Sequence, residues 1–215
     1  MRTSATFGLV ASIALVACGR ARDSRPHELP QTAAATFDSF PRNLDGSYPR
    51  GAPIVARAEL DGDGHPETIT AAWDTTHIPW RATLAISGAT INLQVSSPAD
   101  PPVPVPVLAV DLNGDGIRDL VLAAGDESGV STEVLLVFRD SLRWARPADP
   151  RSLYLIWGVT EYPRGCDDSL MPRIAADSAG ILVSVAADSL DQPRDCSRVP
   201  RRNFRVSGTT LVPVP

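Results

Sequence analysis

Lysine is absent: all 20 basic residues are arginine, set against 25 acidic ones, and the net charge is −5. A nucleic-acid partner requires a basic stripe, so this mildly acidic chain is expected to have none. The arginine-only usage comes with abundant alanine and proline, and reads as codon bias rather than a binding signal. Histidine is scarce, with copies only at His27, His65 and His77. No G-x-S-x-G, H-E-x-x-H or cysteine–histidine arrangement occurs, so the common hydrolytic signatures are missing. Amphipathic helical patterning sustained over about a dozen residues is missing too, which leaves short alternating strands and an all-β fold.

The one long apolar run lies at the N-terminus. Arg2 supplies a short positive region, and Ala5 to Val16 is an apolar stretch too short to span a bilayer. It ends in Leu15-Val16-Ala17-Cys18-Gly19, which resembles the lipobox of bacterial lipoproteins. The resemblance implies a signal peptide over 1–17, lipidation of Cys18 and a membrane attachment through the lipid. Lipoprotein maturation supplies several acyl chains, enough for stable anchoring. With no Asp after the cysteine, it implies the outer membrane of the cell envelope, facing the periplasm or the exterior. A plain secretory signal with an incidental cysteine is the alternative; both place the mature chain outside the cytosol. There, Cys166 and Cys196 form an even pair that reads as a disulfide, two free thiols being the alternative. Such a bridge would stabilise by roughly 3–4 kcal/mol in the chain-entropy model.

Residues 18–50 are rich in Arg, Ser, Pro, Asp and Ala, and read as a flexible tether that contains His27. From 51 to 215 the pattern is that of strands. A first unit near 54–95 contains PIVARAEL, ETITAAW, WRATLAI and TINLQV, with a turn at Ser87-Gly88. The stretch PADPPVPVPV at 98–107 should break the sheet, because proline cannot donate to a ladder. A second unit near 107–147 contains VLAVDL, DLVLAAG, TEVLLVFR and SLRWAR. A fainter third unit at 173–214 keeps only Asp177 of its acidic loop and ends in a hairpin that echoes the first. The segment SLYLIWGV at 152–159 reads as one further strand. Repetition at this period points to an array of antiparallel four-stranded units.

The chemistry lies in the loops between the first two strands of each unit. DLNGDGIRDL at 111–120 sets oxygen-bearing side chains at Asp111, Asn113, Asp115 and Asp119, with Gly116 at the sharp bend and the Ile117 carbonyl at the seventh position. All-oxygen donors at this spacing suit a hard cation of the calcium kind. An EF-hand is excluded, because strands flank the loop and Leu122 stands where its closing glutamate would be. Carboxylates ~4 Å apart repel by about 4 kcal/mol per pair at an effective dielectric near 20, which a divalent ion would relieve. Arg118 should point away from its own loop. A looser copy, ELDGDGHPET at 59–68, offers Glu59, Asp61, Asp63 and Glu67 with the His65 carbonyl. A solvated acidic turn is the alternative there.

Strand, D-x-[DN]-x-D-G-x-x-D, strand, at a spacing near 50 residues, resembles the FG-GAP or VCBS repeat of integrin-α-type β-propellers. The resemblance implies a small or partial β-propeller-like array, braced by one or two structural calcium ions, whose surfaces bind a protein or a glycan. It also makes an inhibitor or immunity protein against a lysozyme-like cell-wall hydrolase conceivable. The competing class is a secreted hydrolase that uses Asp167, Asp168 or His77. Lacking catalytic signatures, the chain is expected to be a binding module and not an enzyme.

Overall fold

The computed structural model describes residues 27–28, 35–36, 53–74, 76, 81–98, 105–126, 129–148, 170–187, 196 and 199–215. The expected strand at 152–159, and His77, Cys18, Cys166, Asp167 and Asp168, lie outside them. Cys196 is disulfide-bonded.

The described elements are all strands, as the alternating pattern requires. β1 (His27–Glu28) and β2 (Ala35–Thr36) come from the N-terminal segment. β3 (Ile54–Ala58), β4 (Glu67–Asp74), β5 (Arg81–Ser87) and β6 (Asn92–Pro98) form one four-stranded antiparallel sheet. β7 (Val105–Val110), β8 (Asp119–Asp126), β9 (Gly129–Val137) and β10 (Leu142–Pro147) form a second antiparallel meander. β11 (Arg173–Asp177), β12 (Gly180–Ala186), β13 (Arg201–Ser207) and β14 (Thr210–Val214) form a third. The described strands β3 to β14 thus fall into three four-stranded antiparallel meanders.

The second and third are not separate sheets. β10 pairs in parallel with β14 through Arg146↔Thr210 and Pro147↔Leu211, and main-chain bonds from Arg146 to Thr209 and from Ala148 to Leu211 secure the join. The result is a ten-stranded sheet with the two-residue strands at its ends, β1 on β11 and β2 on β7. Two points of the segment expected to be a tether are thus hydrogen-bonded to sheet edges.

The proline-rich stretch breaks the sheet over less of its length than expected. Pro98 ends β6 and Pro106 lies inside β7, so only 99–104 separates the two strands. The ladder shifts register between Pro106 and Leu108, an irregularity that accommodates the missing N–H.

Side chains alternate between the two faces of a strand, and the second meander uses both. Ala109, Leu120, Leu122, Leu135 and Val137 pack against Leu60, Ile69, Leu84, Ile86 and Ile91 of the first sheet. Leu108, Val110, Val121, Val134 and Leu136 face the other way, onto Ile174, Val183, Val185, Phe204 and Val206 of the third meander. Leu120, Val121, Leu122 and the run from Val134 to Leu136 are each at most 1% exposed, so β8 and β9 are covered on both sides. This is why those strands read as unbroken apolar runs, whereas β3 shows strict in–out alternation. Each such side chain contributes about 1.5–3 kcal/mol by leaving water.

Truncation in the doubly covered strands should therefore be costly. Leu122→Ala is expected to lower unfolding free energy by about 2–5 kcal/mol in urea titration. Val212→Ala, at a position 39% exposed, is expected to change it by under about 0.5 kcal/mol.

Candidate metal centre

The two acidic loops have one architecture. Each joins the first two strands of its unit, and the closing ladder pairs are Ala58↔Glu67 and Val110↔Asp119. Gly62 and Gly114 both sit at φ 79°, and Gly64 and Gly116 at φ 83° and 86°. L-side chains rarely adopt that region, so the four glycines at these places are demanded by the backbone. The first acidic residue of each loop accepts a main-chain bond three residues on, Gly62 N to Glu59 Oε1 and Gly114 N to Asp111 Oδ1. The last one reaches back seven residues: Glu67 Oε2 accepts from Leu60 N and Asp119 Oδ2 from Leu112 N, at 2.8 and 2.9 Å.

Within this shared frame the two loops use their carboxylates differently. In the second loop nearly every acidic oxygen faces a main-chain amide. Asp111 Oδ2 also accepts from Gly116 N, Asn113 Oδ1 from Asp115 N, and Asp115 Oδ1 from Ile117 N. Asp119 is fully buried, and its second oxygen accepts from Val137 N at 2.9 Å. Ile117 is buried in the core between the first and second meanders. The amides supply positive dipole to this loop, so the clustered acids have partners in the fold itself.

The first loop leaves oxygens over. Asp61 Oδ1 accepts from Asp63 N and Asp63 Oδ1 from His65 N, while Thr90 of the β5–β6 turn donates its hydroxyl to Asp61 Oδ2. Glu67 is fully buried, yet its Oε1 is buried without a hydrogen-bond partner among the described residues. One carboxylate oxygen from each of Glu59, Asp61 and Glu67 lies within 4.8 Å of the others, the single such acidic group among the described residues. Oxygens bound to one ion at calcium distances are at most about 5 Å apart, so the triad admits an ion of that size. The donors are hard oxygens, suited to calcium or magnesium over softer metals. Asp63 and His65 stand outside the triad.

The contrast follows from side-chain length. A glutamate at each end of the first loop reaches one methylene further than the aspartates of the second. Glu67 can hold the Leu60 amide with one oxygen and present the other. Its room comes from Gly88, where a Cβ would stand 2.7 Å from Glu67 Cγ and 2.8 Å from Oε1. Gly88, Thr90 and the main-chain N–H groups of Leu60 and Leu112 were not singled out from sequence as parts of the site. Gly88 lies one step beyond the Thr68↔Ser87 pair and against the Glu67 side chain.

Burial and neighbours set the protonation of these groups. Desolvation raises the Glu67 carboxyl above its ordinary value, against the pull of the Leu60 amide. The Thr90 hydroxyl bond holds Asp61 below its usual value. Burial pushes Asp119 up to about 7, opposed by the Val137 and Leu112 amides and reinforced by Asp115 and Asp111. The fold and the loops together define an all-β protein with an acidic triad able to hold a metal ion. No protein-family profile, curated protein or solved structure matches the chain.

A carboxyl with a raised folded pKa is more readily protonated folded than unfolded. Its contribution to stability is complete below the unfolded value of 3.8 and is lost as pH rises through about 7. In chelator, stability of the wild type relative to Asp119→Asn is expected to decline between those limits, by on the order of a few kcal/mol. Urea titrations across pH measure this; a flat difference contradicts the assignment.

Proposed function

We propose that this protein is an envelope-anchored, calcium-binding lipoprotein that serves as a protein- or glycan-binding module. The carrying observation is the triad of Glu59, Asp61 and Glu67, together with the buried Oε1 of Glu67, which has no hydrogen-bond partner among the described residues. An anionic oxygen deprived of both water and donors is costly, and a divalent cation among the three would satisfy it. The recurrence of one loop geometry in two units supports reading both loops as members of a calcium-loop repeat of the FG-GAP or VCBS type. Packing of the separate first sheet onto the second meander supports the small, propeller-like array that goes with such repeats.

In this reading the ion braces the β3–β4 hairpin against the β5–β6 turn and does no chemistry. Glu59, Asp61 and Glu67 would hold it, and Thr90 orients Asp61. Attachment through Cys18 would place the module in the outer membrane, where extracellular-type calcium concentrations fill even weak sites. The binding role rests on the same grounds: a braced array with no catalytic signature in its sequence.

Calcium at ten times its dissociation constant is expected to stabilise the folded chain by about 1.4 kcal/mol, raising Tm by roughly 3–6 °C. Asp61→Asn and Glu67→Gln are expected to abolish that shift and the calorimetric binding signal. Absence of both in the wild type would remove the metal from the reading.

A further inference from the structure

Arg118 leaves its own loop, as the sequence suggests, and ends on the other one. Its main-chain N–H donates to the Leu60 carbonyl at 2.8 Å. Its Nη1 donates to the Glu59 carbonyl at 2.8 Å, and the same nitrogen lies 3.7 Å from Glu59 Oε2. Both side chains are partly exposed, at 39% and 28%. A fixed positive charge from the second unit thus rests against a member of the triad in the first. Glu59 is the triad residue with the least other support: its Oε1 takes one main-chain bond from Gly62, while Glu67 is fully buried and Asp61 is held by Thr90 and the Asp63 amide.

We propose that Arg118 is a resident counter-ion of the Glu59–Asp61–Glu67 triad, which a divalent cation has to displace or bind beside, and that it sets the concentration at which the triad fills. The proposal rests on the reading of the triad as a cation site. Without metal, the guanidinium eases the repulsion among the three carboxylates. With metal, the like charges of Arg118 and the ion oppose each other across Glu59. Arg118 is then a residue that tunes affinity, not a ligand. The main-chain bond to Leu60 does not depend on side-chain identity, so the loop contact survives substitution.

The test compares the full chain with Arg118→Gln and Arg118→Lys by calcium titration calorimetry at low and high salt. Gln can still donate to the Glu59 carbonyl but carries no charge; Lys keeps the charge. Arg118→Gln is expected to bind calcium roughly three- to fivefold more tightly at low salt, the range an exposed ion pair of this kind reaches. The gain should shrink in high salt, and Arg118→Lys should stay near wild type. Unchanged or weaker binding by Arg118→Gln overturns the proposal while leaving the triad a cation site, since a merely structural Arg118 would lose affinity on substitution. No calcium uptake by wild type and Arg118→Gln alike overturns the metal reading, and the counter-ion role with it.

Discussion

A buried carboxylate at the start of the second strand closes each acidic hairpin, and the rest of the site depends on it. Glu67 and Asp119 are both fully buried and both hold a main-chain N–H seven residues earlier. That bond fixes Leu60 and Leu112, which enter the packing between meanders. The loop is therefore tied to the core by a polar group and by the apolar residue beside it. Only with the loop ends so fixed do Glu59 and Asp61 stand close enough to Glu67 to act together. The burial is costly in itself, as the raised pKa of both carboxyls shows, and it is the charge balance around them that differs between units.

Three solutions to that balance occur in one chain. In the second loop, main-chain amides face the acids. In the first, a buried oxygen is left without a donor and Arg118 stands at the rim. In the third unit the short turn keeps Asp177, which accepts from Ala179 N and is paired with the Arg205 guanidinium. Here an arginine of β13, one strand beyond β12 in the same meander, does within the fold what an ion would do from outside. The acidic pattern alone therefore does not decide how the charge is met; the partners that reach it do.

Much of the fold was legible because strands covered on one side alternate, as β3 does, while the doubly covered β8 and β9 read as short apolar runs. The expected segments match β3 to β14 to within a few residues, and the turn glycines mark the hairpins. The weak third unit was legible through a shortened loop that keeps Asp177 and through its echo of the first, Ser87-Gly88 against Ser207-Gly208. What could not be read was the joining of sheets, because β10–β14 pairing involves only two residue pairs and leaves no compositional trace. Site residues were legible as a set but not in their relative weight. D-x-N-x-D-G-x-x-D at 111–119 is the better motif, yet Glu59, Asp61 and Glu67 are the acids that converge. Motif matching scores residue type, whereas convergence depends on which oxygens the backbone has already engaged. Proline was read too strictly: Pro106 sits in a strand because the ladder slips beside it.

The parallel junction between β10 and β14 also bears on how the chain assembles. Arg146 and Thr210 are 64 positions apart, so this contact closes a long loop and is slow to form compared with the hairpins on either side. Until the last strand arrives, β10 is the free rim of an apolar meander, an invitation to pair with a neighbouring molecule. Arg143 and Arg146 lie on that strand, and charge along an open rim is the general means by which edge-to-edge association is disfavoured.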